Sequence, residues 1–133
     1  MQSLLIDSYL DAIASCGCGA RPRIGVSRSL LIASSRKDAI AIAQADLQAR
    51  SDDHPLLPEA TDAASVERFL VGFDVAFGSV DDVVETLNGD DAVARSTNYL
   101  FSLPFAATGS GAYNQGLDAV ANEVYPRLQR ATR

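Results

Sequence analysis

Strand-like and helix-like segments alternate three times along this chain, and that order constrains the fold more than any single residue does. From Arg23 to Ala33 the sequence reads RIGVSRSLLIA, with Ile24, Val26, Leu30 and Ile32 alternating before a nearly continuous apolar end. This is the pattern of a strand buried on both faces, as in parallel sheets. Ser35-Arg36-Lys37-Asp38 then has the S-x-x-D form of a helix start, and Ile40, Ala43 and Leu47 continue one helical face. Residues 51–64 are polar and hold Pro55 and Pro58, so they read as a loop. Phe73 to Phe77 forms a second, short apolar strand. Ser79, with Asp82 three residues on, caps a helix whose stripe is Val80, Val83, Val84 and Leu87, and Asn88-Gly89-Asp90 stops it. Asn98 to Leu103 is a third strand. A Gly-rich loop from Thr108 to Ala112 leads to a last helix carrying Leu117, Val120, Ala121, Val124 and Leu128 on one face, its final turn kinked or frayed at Pro126.

A helix over residues 2–15 precedes these units, marked by Ile6, Tyr9, Leu10 and Ile13 at i, i+3, i+4, i+7. Strands alternating with helices imply right-handed parallel βαβ units, an α/β fold. The leading helix has no strand of its own. A complete (β/α)8 TIM barrel runs to about 250 residues, and the 133 residues here are about half of that. Three parallel strands also leave two open edges, which isolated domains avoid. The expected architecture is one unit over residues 1–133: a partial (β/α)8 TIM barrel, its last three βα units preceded by one helix.

Four stretches carry a resemblance to a known family. They are RPRIGVSRSLLIAS at 21–34, FGSVDDVVETL at 77–87, STNYLFSLPFA at 96–106 and LDAVANEVYPRLQ at 117–129. In this order and spacing the chain resembles the C-terminal part of the luciferase-like flavin-dependent monooxygenases. That family commonly shows a Gly-Ser/Thr-Pro-x-x-Val turn, an Asn/His-Tyr-Leu strand and a final helix ending Glu-Val-x-Pro-x-Leu. The counterparts here are Gly78-Ser79-Val80-Asp81-Asp82-Val83, Asn98-Tyr99-Leu100 and Glu123-Val124-Tyr125-Pro126-Arg127-Leu128. Val80 stands where the family often has Pro, a small departure, since Pro at that helical position only pre-sets a φ that Val also reaches.

The resemblance implies a TIM-barrel oxidoreductase that activates oxygen with reduced FMN, or a deazaflavin, for attack on a small organic substrate. It implies that the units here are the sixth to eighth, and that the main flavin and phosphate contacts lie on earlier segments outside this sequence. Barrel sites sit at the C-terminal ends of strands. That makes Phe77, Gly78, Leu103 and Phe105 the pocket-wall candidates for a flavin, with Ala33, Ser34 and Pro104 nearby. The expected chain is inactive alone and self-associates or pairs with the missing barrel half. The alternative is a truncated, non-catalytic α/β module that acts through self-association or a partner.

Other residues bear on chemistry mainly by exclusion. The 17 acidic against 11 basic side chains give a net charge of −6, which disfavours nucleic-acid and anionic-membrane surfaces. No apolar run approaches the roughly 18 residues of a membrane span, and no secretory signal pattern opens the chain, so a cytoplasmic protein is expected. Arg28, mid-strand, needs a carboxylate partner and is expected to be structural. The glycines at 109, 111 and 116 miss the G-x-G-x-x-G spacing, so the loop reads as a hinge rather than a phosphate cradle. His54 is the single histidine and lies in a polar loop, which gives no support to a metal site or a Ser–His dyad. Asp52-Asp53, Asp81-Asp82 and Asp90-Asp91 are adjacent pairs whose side chains diverge, suited to caps and turns. No Trp is present to stack a flavin ring, leaving Tyr99, Phe101 and Tyr113. Cys16 and Cys18 are too close to staple a fold and too few for zinc, and read as an idle pair in a Gly-rich loop.

Overall fold

The strand of Gly25–Ile32 (β1) is the centre of the molecule, because it is the longest strand and carries large apolar side chains on both faces. The computed structural model describes residues 2–50, 61–106 and 111–129. Before β1 comes helix α1 (Gln2–Cys16). After it follow α2 (Arg36–Ala49), α3 (Ala63–Gly72), β2 (Ala76–Gly78), α4 (Val80–Asn88), the short α5 (Asp91–Ala94), β3 (Asn98–Ser102) and α6 (Gly111–Ala119). The chain then passes through a π-helical turn, Val120–Val124, and a 3-10 turn, Tyr125–Arg127. Pro126 has no N–H to continue an α-helix, and the backbone leaves helical space at Leu128 (ψ 129°). None of the described helices is long and apolar enough to cross a membrane.

Among the described residues the sheet is three-stranded and wholly parallel, as the strand–helix alternation predicts, so the fold is α/β. Its order is β2-β1-β3. Leu30, Leu31 and Ile32 of β1 pair with Ala76, Phe77 and Gly78, while Gly25 to Ser29 pair with Asn98 to Ser102 on the opposite edge. This order differs from that of consecutive barrel strands, which neighbour one another in chain order. The reason lies in strand length. The three residues of β2 offer β3 few hydrogen bonds, whereas the far edge of the eight-residue β1 takes all five residues of β3 in register. Thr97 locks that start: its N–H donates to the Ile24 carbonyl (2.8 Å), and its hydroxyl accepts from the Ile24 N–H (3.0 Å).

Helices cover both faces of the sheet. On one side Val26 and Leu30 meet Ile6 of α1, Val83, Val84 and Leu87 of α4, Ala92 and Val93 of α5, and Val124 and Leu128 of the C-terminal segment. On the other, Leu31 and Phe77 pack against Ala39, Ala43 and Leu47 of α2 and Val66 and Leu70 of α3. The step from β1 to β2 uses one layer and the return from β2 to β3 uses the other. Opposite moves on opposite faces give both crossovers the same hand.

Two local expectations change. Helix α3 occupies residues expected to be the end of a loop and the approach to a strand; Asp62 caps it by accepting from the Ser65 N–H. Consequently Phe73 ends α3 instead of opening β2, Asp74 turns the chain with a positive φ of 53°, and β2 begins only at Ala76. By contrast, the Ser79–Asp82 capping box is present in full.

One half of the second face is bare. Gly25 and Ser27 of β1 and Asn98, Leu100 and Ser102 of β3 share it by register and are exposed, Leu100 at 68%. Both α2 and α3 lie over the β2 side only, so nothing among the described residues shields this surface from water. Parallel sheets ordinarily bury both faces.

Candidate functional site

In open parallel sheets, ligands bind outside the carboxyl ends of the strands. Those ends are built here by repeated Ser-x-x-Asp signals. After β1, the Ser35 hydroxyl accepts from the Asp38 N–H (3.1 Å), and the Asp38 carboxylate accepts from the hydroxyls of Ser34 and Ser35. After β2, the Asp82 carboxylate accepts from the backbone N–H (2.8 Å) and hydroxyl (2.8 Å) of Ser79. Gly78 makes this second turn possible. Its φ is +127°, and a Cβ there would sit 2.5 Å from the Asp82 carboxylate. Both helix N-termini are thus filled by the chain's own carboxylates, and an incoming anion would have to displace them.

These hydrogen bonds hold the carboxyls below their ordinary range. For Asp38 the Ser34 hydroxyl contributes most, then Ser35. For Asp62 the Ser65 hydroxyl leads. For Asp82 the Ser79 backbone N–H leads, then its hydroxyl, with a smaller share from Arg36. A carboxyl depressed in the folded state stabilises the fold above its unfolded value, 3.8 here, and that help is lost as pH falls through the lower folded value. The expected result is a urea midpoint that is flat above about pH 5 and falls below about pH 4. Ser79→Ala should flatten that acid limb, and an equally steep limb in the variant would refute the assignment.

Among the described residues, the pocket-wall candidates Phe77, Leu103 and Phe105 are divided between the two layers. Phe77 is buried in the α2/α3 layer with the Arg36 guanidinium 4.1 Å above its ring, and Phe105 packs against the same layer. Leu103 packs against the opposite layer, its Cδ1 2.9 Å from where a Cβ on Gly116 would lie. Gly78 is buried beneath Asp82. Of the aromatic residues considered for ring stacking, Tyr99 and Phe101 stack on each other with centroids 5.7 Å apart, and Tyr125 meets Tyr99 edge-on. Tyr99 and Phe101 are partly buried against the core, and Tyr125 is exposed at its margin. His54, Asp52, Asp53 and the loop residues Thr108 to Ser110 lie outside the described residues.

A groove that local sequence patterns did not reveal runs beside the edge strand β2. It encloses about 230 Å3, and its walls include Arg28, Arg36, Asp74, Phe77, Leu87 and Asp90. Arg28 is the buried cation anticipated from the sequence. Its Nε donates to Asp90 at 2.7 Å, and its remaining N–H groups reach the Gln2 side chain (2.7 Å) and the Ser27 carbonyl (2.8 Å). With every one of these partners inside the protein, Arg28 is a structural ion pair. Arg36 is likewise engaged, paired with Glu67 at 2.9 Å while covering Phe77. Sites for drug-sized ligands span about 300–1,000 Å3, so this groove is too small for a flavin. Among the described residues no group of three His, Cys, Asp or Glu is placed to hold a metal ion.

No protein-family model matches the chain, and no curated protein sequence matches it significantly.

Proposed function

We propose that this chain is the C-terminal part of a luciferase-like flavin-dependent oxidoreductase, inactive alone, with the FMN-binding and oxygen-activating machinery on segments it does not contain. The observation that carries this reading is the bare half-face of the sheet. Parallel sheets ordinarily bury both faces, and among the described residues no layer covers Gly25, Ser27 and Leu100. The resemblance in the order and spacing of the Gly78–Val83, Asn98–Leu100 and Glu123–Leu128 motifs is what supports the choice of family. The wall residues Phe77 and Leu103 then contribute packing rather than a finished pocket. Joining a barrel would require β3 to leave β1 for the free edge of β2, so assembly with the preceding units is also a rearrangement.

A second reading is favoured by the outer edge of β3, which pairs with no described strand and stands beside exposed Leu100. An open edge next to an apolar side chain is a template for self-association, and a non-catalytic module would act through it.

One sample separates the two. FMN is titrated into the purified chain and followed by flavin fluorescence, with size in solution recorded alongside, then repeated after co-expression with the preceding barrel units of a luciferase-like enzyme. Saturable micromolar binding only in the co-expressed complex is the result expected. Tight FMN binding and oxygen turnover by the monomeric chain would sink the claim of incompleteness. Absence of binding in both, from a chain that self-associates, would favour the second reading.

A further inference from the structure

Cys16 is the last residue of α1, and Cys18 follows it after one glycine; their sulfurs are bonded, with the Cα atoms 5.3 Å apart. The bond was not anticipated from the sequence, because a two-residue separation closes almost no loop. For that same reason it stabilises little: what a disulfide removes from the unfolded ensemble grows with the length of chain it encloses. Both residues are exposed and belong to neither core layer. Gly17 between the cysteines and Gly19 after them take positive φ values, 59° and 64°, and a Cβ at either position would meet nothing within 4 Å. The chain holds two cysteines, so no third thiol can draw the pair into another bond. Meanwhile α1 is fastened by other means: Ile6 in the core, Asp7 to Arg95, Gln2 to Arg28, and the Tyr9 hydroxyl accepting from the Arg23 N–H.

We propose that Cys16–Cys18 is a thiol–disulfide exchange site, taking two electrons from an external dithiol. Exposed disulfides that bear no structural load are the readily exchanged ones. A thiolate of the dithiol attacks the Cys18 sulfur, forming a mixed disulfide and breaking the Cys16–Cys18 bond. Cys16 leaves as a thiolate, into which the Cys18 backbone N–H already points (3.3 Å), offsetting the unfavourable carbonyl end of α1. It then takes a proton from water. The second thiol of the dithiol attacks its own sulfur in the mixed disulfide and expels Cys18. The dithiol ends as a disulfide and the protein as two thiols, with two electrons and two protons transferred.

The test equilibrates the full chain in graded mixtures of reduced and oxidised dithiothreitol, and separately of glutathione. Free thiols are counted by alkylation and mass, and urea midpoints are measured for both end states. A reversible two-thiol transition in the folded chain, with the same urea midpoint in both forms, is expected. Cys16→Ser and Cys18→Ser should each abolish the transition while keeping that midpoint. A bond that resists reduction until urea unfolds the chain would overturn the proposal. So would a midpoint that drops on reduction, thiols that stay free in oxidised glutathione, or oxidation that links chains to each other.

Discussion

Leu30→Ala is expected to lower the unfolding free energy by about 3 to 4 kcal/mol, the range for emptying a fully enclosed leucine site. Leu30 is 1% exposed at the middle of β1, beside Ala76 in register and against the α4 helix. Neither a neighbouring strand nor a helix can collapse into the gap without giving up hydrogen bonds or cap contacts. Since domains of this size are held by about 5–15 kcal/mol, such a loss populates the unfolded state visibly at room temperature. Urea titration followed by far-UV circular dichroism measures it. The opposite layer supplies the control: Leu70→Ala, also fully buried, should shift one and the same transition. Two separate transitions would mean that the layers do not unfold together, and a loss under about 1 kcal/mol would show Leu30 to be less confined than its burial states.

The second large effect concerns Arg28 and Asp90. Asp90→Ala is expected to cost about 3 kcal/mol, because it strands a guanidinium that is 7% exposed and also removes the cap of α5. Asp90→Asn keeps the cap and removes the charge, so it should fall between Ala and the parent. Arg28→Met replaces the cation by an apolar side chain of similar length. It should cost under about 1 kcal/mol if burying the pair costs as much as its attraction returns. The ordering of the three urea midpoints is the check. Asp90→Ala within about 0.5 kcal/mol of the parent would show that Arg28 finds water or another acceptor instead.

What could be read from the sequence was local. The alternation around Leu30, the Ser79–Asp82 box and the stop at Pro126 each depend on residues within one turn of each other. Even the need of Arg28 for a carboxylate was visible, as a charge in an apolar run. Its partner was not, being 62 residues away in a cap signal shared with Asp91. Helix α3 escaped notice because Phe69, Val71 and Phe73 surround its buried Val66 and Leu70, blurring the amphipathic stripe. Strand order is not a local property at all. It followed from the shortness of β2, itself set by the turn at Asp74 that periodicity does not encode. Leu103 and Phe105 would share a face if the strand ran through both, but β3 ends at Ser102 and the two pack against opposite layers.

The uncovered half-face has a thermodynamic meaning beyond its shape. Gly25, Ser27, Asn98 and Leu100 form a common surface only while β1 and β3 are paired, so whatever settles on it binds the folded chain and not the unfolded one. Each such ligand adds RT ln(1 + [L]/Kd) to the stability of the fold. A partner that covered this surface, a second copy included, would thereby raise the stability of the fold in step with its own concentration.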